Sequence, residues 1–143
     1  MSCDLPYSVD RYRHPGYRHH HNAPRSELLK ACSFNVDWLN SADVPERTAL
    51  DVGCLEGAMM ERLSDDGWRC AGWDVDPASA SAMIQVGSEC FAADMPRQYG
   101  AVISREVIEH VPDHRAHLKQ LVAAVMPGGL LHLQTPRPHE DYA

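Results

Sequence analysis

Four short segments of this 143-residue chain carry residue types whose spacing suits chemistry. Gly53-Cys54-Leu55-Glu56-Gly57 is a glycine-bracketed turn. Glycines placed so let the backbone turn tightly and let a ligand approach a helix N-terminus. Asp74 stands seventeen residues past Gly57, where a carboxylate can accept two hydrogen bonds from ribose hydroxyls. Asp94-Met95 offers a carboxylate for the exocyclic amine of adenine and a thioether side chain to cover the ring face. Glu106, Glu109 and His110 fall on roughly one helical face. Either Glu106 or His110 could take a proton from an acceptor, and an imidazole suits neutral pH better. Each segment also has a plainer reading. The glycine turn could be packing, Asp74 a capping or surface carboxylate, and Asp94 a turn residue before Pro96. Glu109 and His110 could cap and pack a short helix. Order and spacing together are more specific than any one segment.

These residues need elements to hold them. Residues 1–25 hold Tyr, Arg, His and Pro without an apolar period and read as an arm or lid. Residues 26–143 read as one domain. Ser26 can cap a helix through Asn40 that turns Leu28, Leu29, Cys32, Val36 and Leu39 inward. Thr48–Val52 is a short apolar run, a buried strand entering the glycine turn. Gly57–Ser64 predicts a helix with Met59, Met60 and Leu63 inward, stopped by Asp65-Asp66-Gly67. Arg69–Asp74 predicts a second strand. Asp76-Pro77 opens a helix to about Val86, ended by Gly87. Cys90–Ala93 and Gly100–Ser104 predict a third and a fourth strand, followed by a helical turn near Val107–His110. Asp113 caps a helix carrying Leu118, Leu121, Val122 and Val125, terminated by Pro127-Gly128-Gly129. Leu130–Thr135 predicts a fifth strand. Strands alternating with helices imply a doubly wound parallel sheet, α/β and Rossmann-like, built from right-handed crossovers. Such sheets bind ligands beyond the carboxyl ends of their strands, which is where the four segments fall.

Composition excludes other classes. Hydrophobic residues are 44% and charged residues 23%, as in ordinary globular proteins. No apolar run is long enough to span a membrane, and Met1–Asp10 does not read as a secretory leader. The expected location is the cytoplasm. The net charge of −7 argues against a grip on bare nucleic acid. The five cysteines have no CxxC pair, so neither a zinc knuckle nor a disulfide framework is expected.

Ala49-Leu50-Asp51-Val52-Gly53-Cys54-Leu55-Glu56-Gly57, Gly72-Trp73-Asp74-Val75-Asp76-Pro77, Ser104 through Asp113, and Pro127-Gly128-Gly129-Leu130-Leu131 with Thr135-Pro136 occur in that order. Together they resemble the class I S-adenosylmethionine-dependent methyltransferases, most of all the ubiquinone-biosynthesis type of O-methyltransferase and its small-molecule relatives. The resemblance covers roughly residues 48–138. It implies S-adenosylmethionine as cofactor and methyl transfer to a small-molecule acceptor, at oxygen ahead of nitrogen or carbon, in small-molecule biosynthesis. It implies backbone contacts to the methionine portion from Gly53, Cys54 and Gly57, with Asp51 ordering that loop. Asp74 would hold the ribose, and Asp94 with Met95 the adenine. Upstream, His19, Asn22 and Arg25 keep an H-x-x-N-x-x-R spacing seen in ubiquinone-type enzymes, where the arginine reaches the cofactor's carboxylate. A guanidinium suits a carboxylate, and a solvated arm with incidental basic residues is the plainer alternative. The His-rich arm, with His14, His19, His20 and His21, reads as a lid over the cofactor rather than a metal site.

The chain departs from the family pattern twice. Leu55 replaces the middle glycine of the first motif, so its side chain must point away from the cofactor and tolerate the local backbone angles. The family's C-terminal antiparallel hairpin is missing, which leaves the fifth strand as a bare edge. A shortened chain, a homodimer or partner subunit over that strand, or the arm folded across the sheet would each account for it. Two other functions remain open. Glu106, Glu109 and His110 resemble the E-x-x-E-H cluster of small-RNA 2′-O-methyltransferases that binds a divalent ion, with His139 as fourth ligand. The chain could instead be a catalytically inactive cofactor-binding or partner subunit.

Overall fold

The computed structural model describes residues 24–75, 84–86 and 98–136. Two short helices, α1 (Arg25–Ala31) and α2 (Ser33–Ser41), lead into β1 (Thr48–Val52). Then come α3 (Ala58–Asp65), β2 (Arg69–Asp74), β3 (Ile84–Val86) and β4 (Tyr99–Arg105). A 3-10 turn over Ile108–His110, α4 (His114–Ala124) and β5 (Val125–Gln134) complete the order. The strands pair in parallel as β3-β2-β1-β4-β5. The chain winds outward from β1 in both directions, so the topological switch point lies between β1 and β4.

Every residue of β1 is buried, as a central parallel strand covered on both faces must be. Alternation along the strands sends side chains to two cores. Ala49, Ala101 and Ile103 pack with Cys32, Val36, Leu39, Met59 and Leu63 beneath α2 and α3. Leu50, Val52 and Val102 pack with Leu121 and Ala124 of α4 on the opposite face. Met59, Met60 and Leu63 of α3 are buried as the sequence predicts. Among the described residues, no helix is long and apolar enough to cross a membrane.

Several elements depart from the expected boundaries. The single helix expected over residues 26–40 is two helices that meet at Cys32. Ser26 is not its cap. Pro24 supplies the start, its carbonyl accepting from Glu27 and Leu28 N–H. Arg25, read as the end of the arm, is the first residue of α1. The helix expected to run to Val86 cannot do so, because Ile84–Val86 pairs with Gly72–Asp74 as β3. The strand expected over Cys90–Ala93 and the helix start at Asp76-Pro77 lie outside the described residues.

Asp113 caps α4 as expected, its Oδ1 accepting from Ala116 N–H at 2.9 Å. Val122, expected inward, is exposed. The helix does not run on to Pro127-Gly128-Gly129. It stops at Ala124, and Val125 is already strand. The Pro-Gly-Gly run instead lies within β5, at a register shift between the Tyr99–Val125 and Ala101–Leu130 pairs. Gly129 is needed there, since a Cβ would stand 2.7 Å from the Gly100 carbonyl oxygen.

Candidate functional site

The carboxyl ends of β1, β2 and β4 meet around the turn at residues 53–57. Gly53 and Gly57 have φ of 80° and 78°, left-handed values that glycine adopts without steric cost. The turn is pinned to β2 by three backbone N–H groups, with Cys54 N–H also reaching the Trp73 carbonyl at 3.3 Å. Gly53 N–H donates to the Trp73 carbonyl at 2.7 Å, and Leu55 N–H donates to Asp74 Oδ2 at 2.8 Å. Asp74 is only 4% exposed, so a charge-assisted bond of this kind offsets part of its desolvation. Leu55 takes φ 47°, the strained angle its place in the motif led us to expect. The turn also touches the segment after β4: a Cβ on Gly53 would overlap Val107 Cγ2. Gly53 therefore serves packing as well as turning.

Beneath the turn lies a buried charge cluster. Asp51 is 6% exposed. Burial raises its pKa from the usual 3.8 to about 7, Arg105 pulls it down, and Asp74 pushes it up. The Cys54 thiol is driven upward by burial and then by Asp51 and Asp74. It stays protonated, so Cys54 can contribute only backbone or an inert thiol. Arg105 has Nη1 3.7 Å from Cys32 Sγ, while its Nε and the Ser104 hydroxyl are buried without a hydrogen-bond partner among the described residues. The sequence reading missed Arg105. It sits beside Glu106 in a segment read for acids and histidine, and nothing in the alternation of a strand end marks a half-buried cation.

Arg25 does come to the site. Its Nη1 donates to the Glu56 carbonyl at 3.2 Å and its Nη2 pairs with Glu61 Oε2, which places a guanidinium at the start of α3. Glu106 is exposed at φ 54°, with its N–H donating to the Gln134 carbonyl at 2.8 Å. His110 closes the 3-10 turn through its N–H to the Val107 carbonyl, and its Nε2 stands 3.9 Å from Glu109 Oε1. Among the described residues, no three or more His, Cys, Asp or Glu gather as a metal-holding group. Glu106, Glu109 and His110 thus share a short segment without converging as ligands, because a strained strand exit followed by one 3-10 turn does not present the single α-helical face assumed for them. Asp94, Met95, His139 and the arm histidines lie outside the described residues.

Comparison with known proteins gives a consistent picture. Residues 17–143 match the family model described as "Methyltransferase domain". A ubiquinone biosynthesis O-methyltransferase of Pseudomonas paraeruginosa is 32% identical over 116 residues, covering 71% of this chain and 50% of that protein. Its counterpart in Pseudomonas putida is 30% identical with the same coverage. This chain therefore spans about half the length of these curated relatives. Among solved structures, a SAM-dependent methyltransferase from Archaeoglobus fulgidus superposes with a TM-score of 0.64 at 16% identity, covering 81% of this chain and 55% of that one. Streptomyces venezuelae DesVI superposes at 0.63 with 18% identity, covering 76% and 51%. At these identities the superpositions speak to fold.

Proposed function

This chain belongs to the methyltransferase-domain family, and from that membership we propose that it transfers a methyl group from S-adenosylmethionine to a hydroxyl of a small molecule, in the cytoplasm. The observation that carries this reading is the Asp74–Leu55 bond. It holds a buried carboxylate, suited to ribose hydroxyls, against the left-handed glycine turn. The residues present fit such a ligand. Asp74 supplies acceptors, the turn supplies close backbone approach at Gly53, Cys54 and Gly57, and Arg25 supplies a cation at the start of α3 for a carboxylate. Asp51 underlies the turn, and Asp94 with Met95 takes the adenine. Residues 26–143, together with Arg25 at the head of α1, form the cofactor-binding domain, with the arm before them as its lid.

When bound, S-adenosylmethionine supplies an electrophilic methyl on a sulfonium. The work of this chain is to align and desolvate the two reactants. His110 takes the acceptor's hydroxyl proton at a ring nitrogen, with Glu109 facing Nε2, and Glu106 on the exposed strand exit helps place the acceptor.

Transfer of labelled methyl from S-adenosylmethionine to small-molecule hydroxyl acceptors, beside calorimetry with S-adenosylhomocysteine, tests the reading. Binding with transfer supports it. Binding without transfer to any acceptor, under conditions where the relatives turn over, leaves a cofactor-binding partner subunit. Loss of binding altogether overturns it.

A further inference from the structure

We propose that Arg105 is a positioning residue for the glycine turn: standing on the same sheet face as Asp51, it acts as the internal counter-ion that favours the charged form of this buried carboxylate beneath the bound ligand. The ligand half of this statement rests on the reading above; the charge half does not.

The placement follows from register. Asp51 of β1 pairs with Ile103 of β4 in the parallel ladder. Arg105 lies two residues further along β4, so alternation returns it to the face of Ile103 and Asp51. That face is closed by Cys32, Val36 and Met59, and Arg105 Nη1 reaches Cys32 Sγ at 3.7 Å. Thioether and thiol sulfurs are weak acceptors, and Nε is buried with no acceptor among the described residues. A guanidinium held this way loses hydration without a full set of hydrogen bonds, a cost that nearby negative charge offsets.

Among the described residues, the groups acting on Asp51 are few. Arg105 comes from β4, Asp74 from the end of β2, and the thiols of Cys54 and Cys70 from the turn and from β2. Arg105 is the cation of this set. Asp74 opposes it, and both thiols are pushed upward by burial. On the other side Arg105 lowers the basicity of His132 on β5. Its role is electrostatic rather than a fixed bidentate fork, so a lysine should replace it in part.

The carboxyl 13C resonance of Asp51, titrated in the ligand-free protein, reads this directly. Wild type should titrate near 7. Arg105→Met should move the midpoint upward by about one unit or more, and Arg105→Lys should move it less. The His132 imidazole should also titrate higher in Arg105→Met, since a repelling cation has gone. An Asp51 midpoint unchanged in a natively dispersed Arg105→Met spectrum overturns the proposal. If that variant does not fold, an Arg105→Lys midpoint above that of Arg105→Met refolded in osmolyte, or equal to that of Arg105→Gln, overturns it as well. Calorimetry with S-adenosylhomocysteine across pH 6–9 separates the two readings. Where wild type binds, the pH of half-maximal affinity should follow the Asp51 midpoint in each variant, and affinity that ignores it overturns the link to the ligand. Where wild type binds at no pH, the assigned cofactor fails while the titration still decides the counter-ion.

Discussion

Asp74 Oδ2 accepts the backbone N–H of Leu55 at 2.8 Å, joining the last residue of β2 to the turn that follows β1. One buried carboxylate thereby braces the turn. Asp74→Ala should lower affinity for S-adenosylhomocysteine by about 100-fold or more, since hydrogen bonds to a charged group are worth about 1.5–3 kcal/mol each. Asp74→Asn should fall between, because an amide oxygen can still accept from Leu55. Calorimetry at one pH checks the order, and equal affinity for wild type and Asp74→Ala would falsify the ribose assignment.

Leu55 pays for its place in the turn with a left-handed backbone. Leu55→Gly should leave stability unchanged or raise it by up to about 1 kcal/mol, as relief of φ is offset by added freedom in the unfolded chain. Leu55→Pro should do the reverse on two counts: its ring excludes φ 47°, and it removes the N–H given to Asp74. Urea unfolding of the pair checks this, and a destabilised Leu55→Gly would contradict it.

Gly53 is constrained twice, by φ 80° and by Val107 lying over its missing side chain. Gly53→Ala should cost about 2–4 kcal/mol, the sum of an unfavourable backbone and an overpacked contact. Adding Val107→Ala should recover the contact part and leave the backbone part. A double-mutant cycle measures the split, and strict additivity would show that the two residues do not press on each other.

The buried Asp51 carboxyl makes stability depend on pH. Its folded pKa of about 7 lies above the ordinary 3.8, so the folded state holds the proton more tightly. This group's contribution is largest at acid pH and is lost as pH rises from about 4 through 7. Asp51→Asn should remove that slope, with a gain at pH 8 of at most ~4 kcal/mol. His117 and His132 act the opposite way. Burial lowers both, so their contribution is lost as pH falls below the ordinary imidazole value. Thermal melts of wild type and Asp51→Asn from pH 4 to 8 isolate the Asp51 part, and parallel curves would contradict it.

Arg25 is held by Glu61 and by the Glu56 carbonyl. If its guanidinium takes the ligand's carboxylate, Glu61 competes for it. Glu61→Gln should then raise affinity for S-adenosylhomocysteine several-fold, and Arg25→Met should lower it about tenfold. An unchanged affinity in both variants would return Arg25 to a surface role.

The legible parts of the fold were those written in uninterrupted apolar runs. β1 appears at its expected position because a strand buried on both faces reads as a short, mostly apolar run, and the half-buried β2 does so between the Asp65-Asp66-Gly67 stop and Asp74. β3 was misplaced for a physical reason: three residues, Ile84-Gln85-Val86, are too few to break the helix signal begun at Asp76-Pro77. The break at Cys32 was equally silent, since Cys32 keeps right-handed helical angles and the apolar period runs on across it. Within the site, turn and acid were legible from spacing, whereas the Asp74–Leu55 bond and the shared sheet face of Arg105 and Asp51 arise only when parallel register aligns distant residues.

The passage from α4 into β5 at Val125 has no slack. One residue inserted there would have to be absorbed by unwinding the last helical turn or by sliding the strand along β4. Sliding by a single step exchanges the two faces from Leu130 to Gln134. It would also carry away the Gln134 carbonyl that anchors Glu106, so a length change at the far end of the sheet would be felt at the strand exit after β4.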